Sequence, residues 1–407
     1  MTTATPDPVR VTTRDLLAEI ETREHTSPRP AELERHERSY VRWMLLSVIV
    51  VLGALYGALW WLDPISVTGR QTRFSIVENG GVRQAKLDLM EQLPATPDVL
   101  VLGSSRSMKL NPATIEDVTG GETAFNGAVS GGTTKDIYLY ARYAEDLWGD
   151  QGEFPHLVVG VVNDVLRFGG TSALDPRLKR YLPKEDAAQA NQLEVAKALL
   201  QTKTVEAGAR AVKRVVEQEG PGALLNPVQK GTEINADLAV VGKQKGNNVE
   251  FLDDRGMQEF KPGADYSKSV EVRVERQMTV FARNGYEKDP DYTGADDRAV
   301  DLLRKTIELA NRNGDVPTFW VTPFHPTALR FLPDEYDVRN ARFREVFADL
   351  RKDTSLEFNF IDLDDISSFG GDPEEFHDGI HPTEKNTAKI IAKLHEEGAL
   401  TRAANRR

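Results

Sequence analysis

The chain has 407 residues, 40% of them hydrophobic and 28% charged, with 31 glycines, 21 prolines and no cysteine. This is the composition of a folded globular chain, and it excludes wholesale disorder, a collagen-like chain and a coiled coil. Without cysteine there is no disulfide, no thiolate metal site and no cysteine nucleophile. The formal net charge of −12 argues against a nucleic-acid binder, because phosphate recognition needs a basic footprint.

Residues 1–42 are polar, carry TSPRP near their middle, and read as a disordered tail with one short helix around Thr13 to Thr22. Residues 43–62 read WMLLSVIVVLGALYGALWWL, twenty residues without a charge. At about 1.5 Å per residue they reach across roughly 30 Å of hydrocarbon, which predicts a transmembrane helix with Trp43, Trp60 and Trp61 in the aromatic belts. The run is too long and starts too late for a cleaved signal peptide. Arg23, Arg29, Arg35, Arg38 and Arg42 precede it, whereas Asp63 follows directly and only Arg70 and Arg73 lie within the next twenty residues. The positive-inside rule therefore places the N-terminus in the cytoplasm and the C-terminal part outside it, as a single-pass protein. Residues 1–42 hold seven Lys/Arg against eight Asp/Glu, so −11 of the charge belongs to the outer part. Residues 63–97 read as a membrane-proximal connector, with a helix over Gln84 to Gln92.

From Asp98 the pattern changes. DVLVLGSS, HLVVGVVND (156–164), VPTFWVTPF (316–324) and EFNFIDLDD (357–365) read as short buried strands. Helical patterns cover Asp297 to Asn313, Val338 to Arg351 and Glu384 to Glu397. Buried strands alternating with amphipathic helices predict an α/β domain over 98–400, with a parallel sheet between helical layers. Sites in such sheets gather beyond the C-terminal strand ends. Residues 171–290 break the alternation and read as a mostly helical insertion, with a helix near Ala187 to Val216. KPGADYSKSVEVRVERQ reads as partly extended.

Four pieces carry candidate chemistry. Gly103-Ser104-Ser105-Arg106 follows a buried strand, where a tight turn exposes a serine hydroxyl and aims backbone N–H groups outward. Phe125-Asn126-Gly127-Ala128-Val129-Ser130-Gly131-Gly132-Thr133 is a Gly-rich turn that lets a backbone N–H approach a reacting oxygen. Val162-Asn163-Asp164 places an amide donor at a strand end. Asp378-Gly379-Ile380-His381-Pro382-Thr383 precedes the last helix and supplies a base with its orienting acid. Each of the first three, taken alone, is also ordinary turn chemistry. His377 is the rival base. Arg106 is a candidate for a substrate carboxylate or phosphate, or a partner for Asp164. His325, in TPFHP, is a candidate pocket residue or a structural histidine. Asp362, Asp364 and Asp365 read as an acidic turn. No HExxH, P-loop or GxGxxG is present, so neither a metal nor a cofactor is called for.

In this order the four pieces resemble the SGNH (GDSL-like) hydrolase family, and in particular its envelope-associated, membrane-anchored members with a GSSR first block. The resemblance spans about 98–394 and implies a three-layer, flavodoxin-like sheet. It also implies Ser105 as nucleophile, His381 and Asp378 as base and acid, and an oxyanion hole from Ser105, Gly131 and Asn163. Ser104 stands where the family usually has Asp, which leaves Ser104 open as an alternative nucleophile. The implied function is an extracytoplasmic serine esterase or O-acyltransferase acting on acyl esters of envelope polysaccharides, with a membrane acyl-transfer partner. Two other readings are a non-catalytic envelope protein that binds glycan or an assembly partner, and a lipase or thioesterase.

Overall fold

A computed structural model describes residues 30–64, 81–149, 153–167, 176–182, 196, 199–225, 240–243, 249–252, 254–261, 267–287 and 291–401. The helix expected around Thr13 to Thr22 lies outside them. The first described element is a helix, α1, over Pro30–Leu62. It starts thirteen residues before the apolar run, so the end of the expected disordered tail is helical. Its Arg38–Leu62 part is long and apolar enough to cross a membrane. Along it Trp43, Ile49 and Val51 are exposed.

The rest of the chain is built on a parallel sheet. The strands are β1 (Val99–Gly103), β2 (Ala124–Asn126), β3 (His156–Val161), β7 (Thr318–Val321) and β8 (Asn359–Asp362), hydrogen-bonded in the order β2-β1-β3-β7-β8. All four pairings are parallel, with Val99 opposite both Ala124 and His156, and Thr318 opposite Val158 and Asn359. In β1 and β3 every residue is buried, as continuous apolar runs covered on both faces require. The run at 359–362 is the edge strand and is only half-buried, although the sequence reads it as fully inside.

This order is that of flavodoxin-like doubly wound sheets. From β1 the chain steps to one side to reach β2, then crosses back to the other side for β3. With right-handed crossovers, helices must then fall on both faces. Helix α3 (Pro112–Thr119) indeed packs with the last helix, α9 (Glu384–Glu396), whereas α4 (Thr134–Trp148) packs with α7 (Asp297–Arg312). Helix α8 (Glu335–Leu350) sets Phe343 and Phe347 against Phe319 of β7 and Phe360 of β8. The reversal of direction opens a crevice beyond the C-terminal ends of β1 and β3. Ser104 follows the end of β1 directly, and Asn163 follows the end of β3 after one residue.

Two expectations need correction and one needs an addition. Helix α2 (Gly81–Gln92) belongs to the domain rather than to a connector, since Leu87, Leu89 and Met90 join the main core. Among its described residues the insertion is mostly helical, as expected, but it is not helical throughout. Besides α5 (Thr202–Glu219) it holds an antiparallel sheet of β4 (Val240–Lys243), β5 (Val249–Leu252) and β6 (Gln258–Lys261). The segment read as partly extended includes α6 (Val270–Ala282). VEVRVER alternates with period 2, but Val270, Val274 and Met278 are buried at helical spacing, so burial overrides the strand pattern.

Candidate active site

The crevice begins with the turn after β1. Gly103 has φ +137°, and a Cβ there would stand 2.6 Å from the Gly160 carbonyl oxygen and 2.8 Å from Ser107 Oγ. A side chain is therefore excluded at the point where the strand turns. The Ser107 N–H then donates to Ser104 O (3.0 Å) and the Leu110 N–H to Ser107 O (3.1 Å). This places Ser105 at the crest of the turn, partly exposed. Its Oγ lies 2.8 Å from His381 Nε2, across 276 residues of chain.

His381 sits in the loop before α9, and that loop is braced from three sides. His377 N–H donates to His381 O (2.8 Å), and Thr383 N–H to Glu375 O (3.0 Å). The buried Asn386 amide donates to the carbonyls of Asp372 (2.8 Å) and Glu375 (2.9 Å). Arg273, from α6, donates to the carbonyls of Phe376 (3.0 Å) and His377 (2.9 Å). Within the loop Asp378 Oδ1 accepts the N–H groups of Ile380 (2.9 Å) and His381 (3.0 Å). Its two oxygens lie 2.8 and 3.0 Å from His381 Nδ1. A carboxylate can only accept, so the proton belongs on Nδ1 and Nε2 is left to receive the serine hydrogen. Burial by itself would raise the Asp378 carboxyl, but the adjacent imidazole and the two N–H groups outweigh it and hold the group at about 2.

His377 points elsewhere. Its Nε2 is 2.5 Å from Lys109 Nζ. Burial, followed by the Lys109 charge, pushes its imidazole down to about 2, so it stays neutral.

The residues expected as oxyanion donors keep hydrogen-bonding capacity to spare. Among the described residues, the backbone N–H groups of Ser105 and Gly131 donate to no other group of the chain. Gly131 is exposed and has φ +61°, in the left-handed region. The Asn163 side chain is buried without a well-formed hydrogen bond, near the Tyr286 hydroxyl. An amide with a donor to spare at a strand end can give a hydrogen bond to an incoming oxygen. A cleft of about 430 Å³ opens over Ser105 and Gly131, with Arg106, Val280, Phe281 and Ile380 among its walls.

The other candidates fall into structural roles or into the cleft wall. Arg106 lines the cleft and does not take Asp164, which lies 3.5 Å from Arg167 instead. His325 is buried outside the cleft lining. Its Nδ1 accepts the Thr327 N–H (3.1 Å), capping a short turn, and its own N–H donates to Gly379 O (3.0 Å). Asp362 and Asp364 are taken by Arg344, at 2.9 and 3.0 Å.

Sequence reasoning passed over the residues that tie these pieces together. Asn126, fully buried, donates to the carbonyls of Ser107 (2.8 Å) and Leu110 (2.9 Å), while its Oδ1 accepts the Ala128 N–H (3.1 Å). Lys86, also fully buried, donates to Asn126 O (2.8 Å) and to Ala128 O. The nucleophile turn and the Gly-rich turn are thus stitched to each other. Arg83 pairs with Asp136, at 2.9 Å, and Asp136 closes a capping box on Thr133 at the start of α4. One signal for Lys86 was available, its i, i+4 spacing from the buried Met90 on the inward face of a predicted helix.

Compared with known proteins, the chain matches no family model and no curated protein.

Proposed function

We propose that the chain is a membrane-anchored serine esterase or O-acyltransferase of the SGNH type. The observation that carries this reading is the continuous relay Ser105 Oγ–His381 Nε2 (2.8 Å) and His381 Nδ1–Asp378 Oδ2 (2.8 Å) at the mouth of the cleft. The strand order 2-1-3-4-5 of the main sheet supports the fold part of the proposal.

In this mechanism His381 takes the Ser105 hydrogen as Oγ attacks an ester carbonyl. The negative charge that grows on the carbonyl oxygen is received by the N–H groups of Ser105 and Gly131 and by the Asn163 amide. Each donor contributes roughly 3 kcal/mol to lowering the barrier. His381 returns its proton to the departing alcohol, leaving Ser105 acylated. Water or an acceptor hydroxyl then gives up its proton to His381 and releases the acyl group. Asp378 stays ionised throughout and holds the imidazole in its productive tautomer. The apolar helix and the arginines before it support an extracytoplasmic location for this domain, and an acyl ester of an envelope glycan is the substrate that such a location suggests.

The test is covalent labelling of the purified chain by a fluorophosphonate. The parent and Ser104→Ala should label, and Ser105→Ala should not. Absence of labelling in the parent would leave a non-catalytic binding protein as the reading; labelling lost only with Ser104→Ala would move the nucleophile by one residue.

A further inference from the structure

Beside the nucleophile stands a cation that the mechanism does not use. Arg106 is 4% exposed, and its guanidinium lies 4.1 Å from the centre of the Phe324 ring and 5.9 Å from that of Phe281. Its Nη1 is buried with no hydrogen-bond partner. Among the described residues no carboxylate lies within ion-pair distance of the guanidinium; Asp164, the carboxylate that acts on it most strongly, lies 3.5 Å from Arg167 Nε. Arg167 is further held by Gly285 O (2.7 Å) and by the Tyr292 ring, 4.1 Å from its guanidinium carbon. Arg106, Asp164 and Arg167 are the charged residues that line the cleft, and the Asp164, Asp364 and Asp378 carboxylates act on the Arg106 charge without a hydrogen bond to it.

A buried guanidinium without hydrogen bonds is unfavourable, and ring contacts offset only part of that cost. Its planar fork fits a carboxylate or a phosphate in two parallel hydrogen bonds. Ser105 and Arg106 line the same cleft, so an anionic group bound by Arg106 would lie beside the ester that Ser105 attacks.

We propose that Arg106 anchors an anionic oxygen group, a carboxylate or a phosphate, carried by the ester substrate, so that the cleft selects negatively charged acyl esters over neutral ones. The proposal rests on the reading that this cleft receives the ester of Ser105 chemistry.

The test uses the full chain in detergent with Ser105→Ala, which prevents turnover. Glucose, glucuronate and glucose 6-phosphate are titrated in turn and followed by saturation-transfer difference NMR. At least one anionic sugar should bind about ten- to hundredfold more tightly than glucose, the range expected for hydrogen bonds to a charged group. The tighter of the two distinguishes carboxylate from phosphate. Adding Arg106→Met should shrink the difference to within threefold, and Arg106→Lys should retain part of it. Equal binding of all three sugars by the Ser105→Ala chain overturns the proposal, and so does a preference that survives Arg106→Met. The first comparison needs no change at Arg106, so it decides even where Arg106→Met does not fold. Fluorophosphonate labelling separates the two readings: labelling without anion preference removes this one alone, and anion preference without labelling removes the hydrolase.

Discussion

Asp378→Asn is the sharpest probe of the relay, because it changes the chemistry and spares the scaffold. Both backbone bonds to Asp378, from Ile380 and His381, end on Oδ1 at 2.9 and 3.0 Å, and the oxygen of an asparagine can keep them. The Oδ2 contact to His381 Nδ1, 2.8 Å in the parent, is then met by an NH2 group. Oδ1, 3.0 Å from Nδ1, already accepts two N–H groups, so the NH2 that now faces the ring favours the tautomer with its proton on Nε2, accepting at Nδ1. Nε2 now donates to Ser105 Oγ instead of accepting from it, and the base is lost. The rate of fluorophosphonate labelling should fall about 10³- to 10⁴-fold, as for a wrongly tautomerised triad histidine. Folding should survive. The carboxyl is lowered from 3.8 to about 2, which corresponds to about 2 kcal/mol of stability from its charge. Because the folded value is the lower one, this contribution is complete above about pH 4 and disappears as the pH falls through about 2. Asp378→Asn should therefore cost about 2 kcal/mol at neutral pH, seen as a Tm lower by several degrees, with a smaller gap to the parent in strong acid. Labelling within threefold of the parent at pH 7 would show that His381 needs no acidic orienter, and the triad assignment would have to be withdrawn.

Two further outcomes are expected. Asn126→Ala removes the side chain that satisfies the carbonyls of Ser107 and Leu110 and the Ala128 N–H, so urea denaturation should show a loss of about 2 to 4 kcal/mol, and labelling should slow as the two turns lose register; unchanged stability would mean that the turns hold themselves. His377→Gln should label within a few-fold of the parent, whereas His381→Gln should not label; the reverse pattern would make His377, and not His381, the base.

Chain-local features were legible before any fold was drawn. The apolar run of α1, the buried strands at 99–103, 156–161 and 318–321, and the helices near 297, 338 and 384 all announce themselves by period and composition, because burial on one or both faces imposes those patterns locally. The motifs around Ser105, Asn163 and His381 were visible for the same reason: each lies at a strand end or helix start that sequence can place. Other elements gave no such signal. β2 is only three residues, too short for a period, and reads as a turn. α6 carries a strand-like alternation that packing of Val270, Val274 and Met278 overrules. The antiparallel sheet of the insertion pairs segments whose partners no single segment reveals.

What composition and spacing determined, then, was an α/β chain with one apolar helix and a set of polar strand ends. Which of those ends meet was decided only in three dimensions. Ser105 and His381 are 276 residues apart, and their contact depends on β1 lying inside the sheet between β2 and β3, on Gly103 turning sharply, and on Arg273 and Asn386 holding a distant loop. The same holds for Lys86 and Asn126, and for the buried guanidinium of Arg106. A side chain's hydrogen-bond partners are set by the closure of the whole sheet, and its nearest neighbours along the chain carry no record of them.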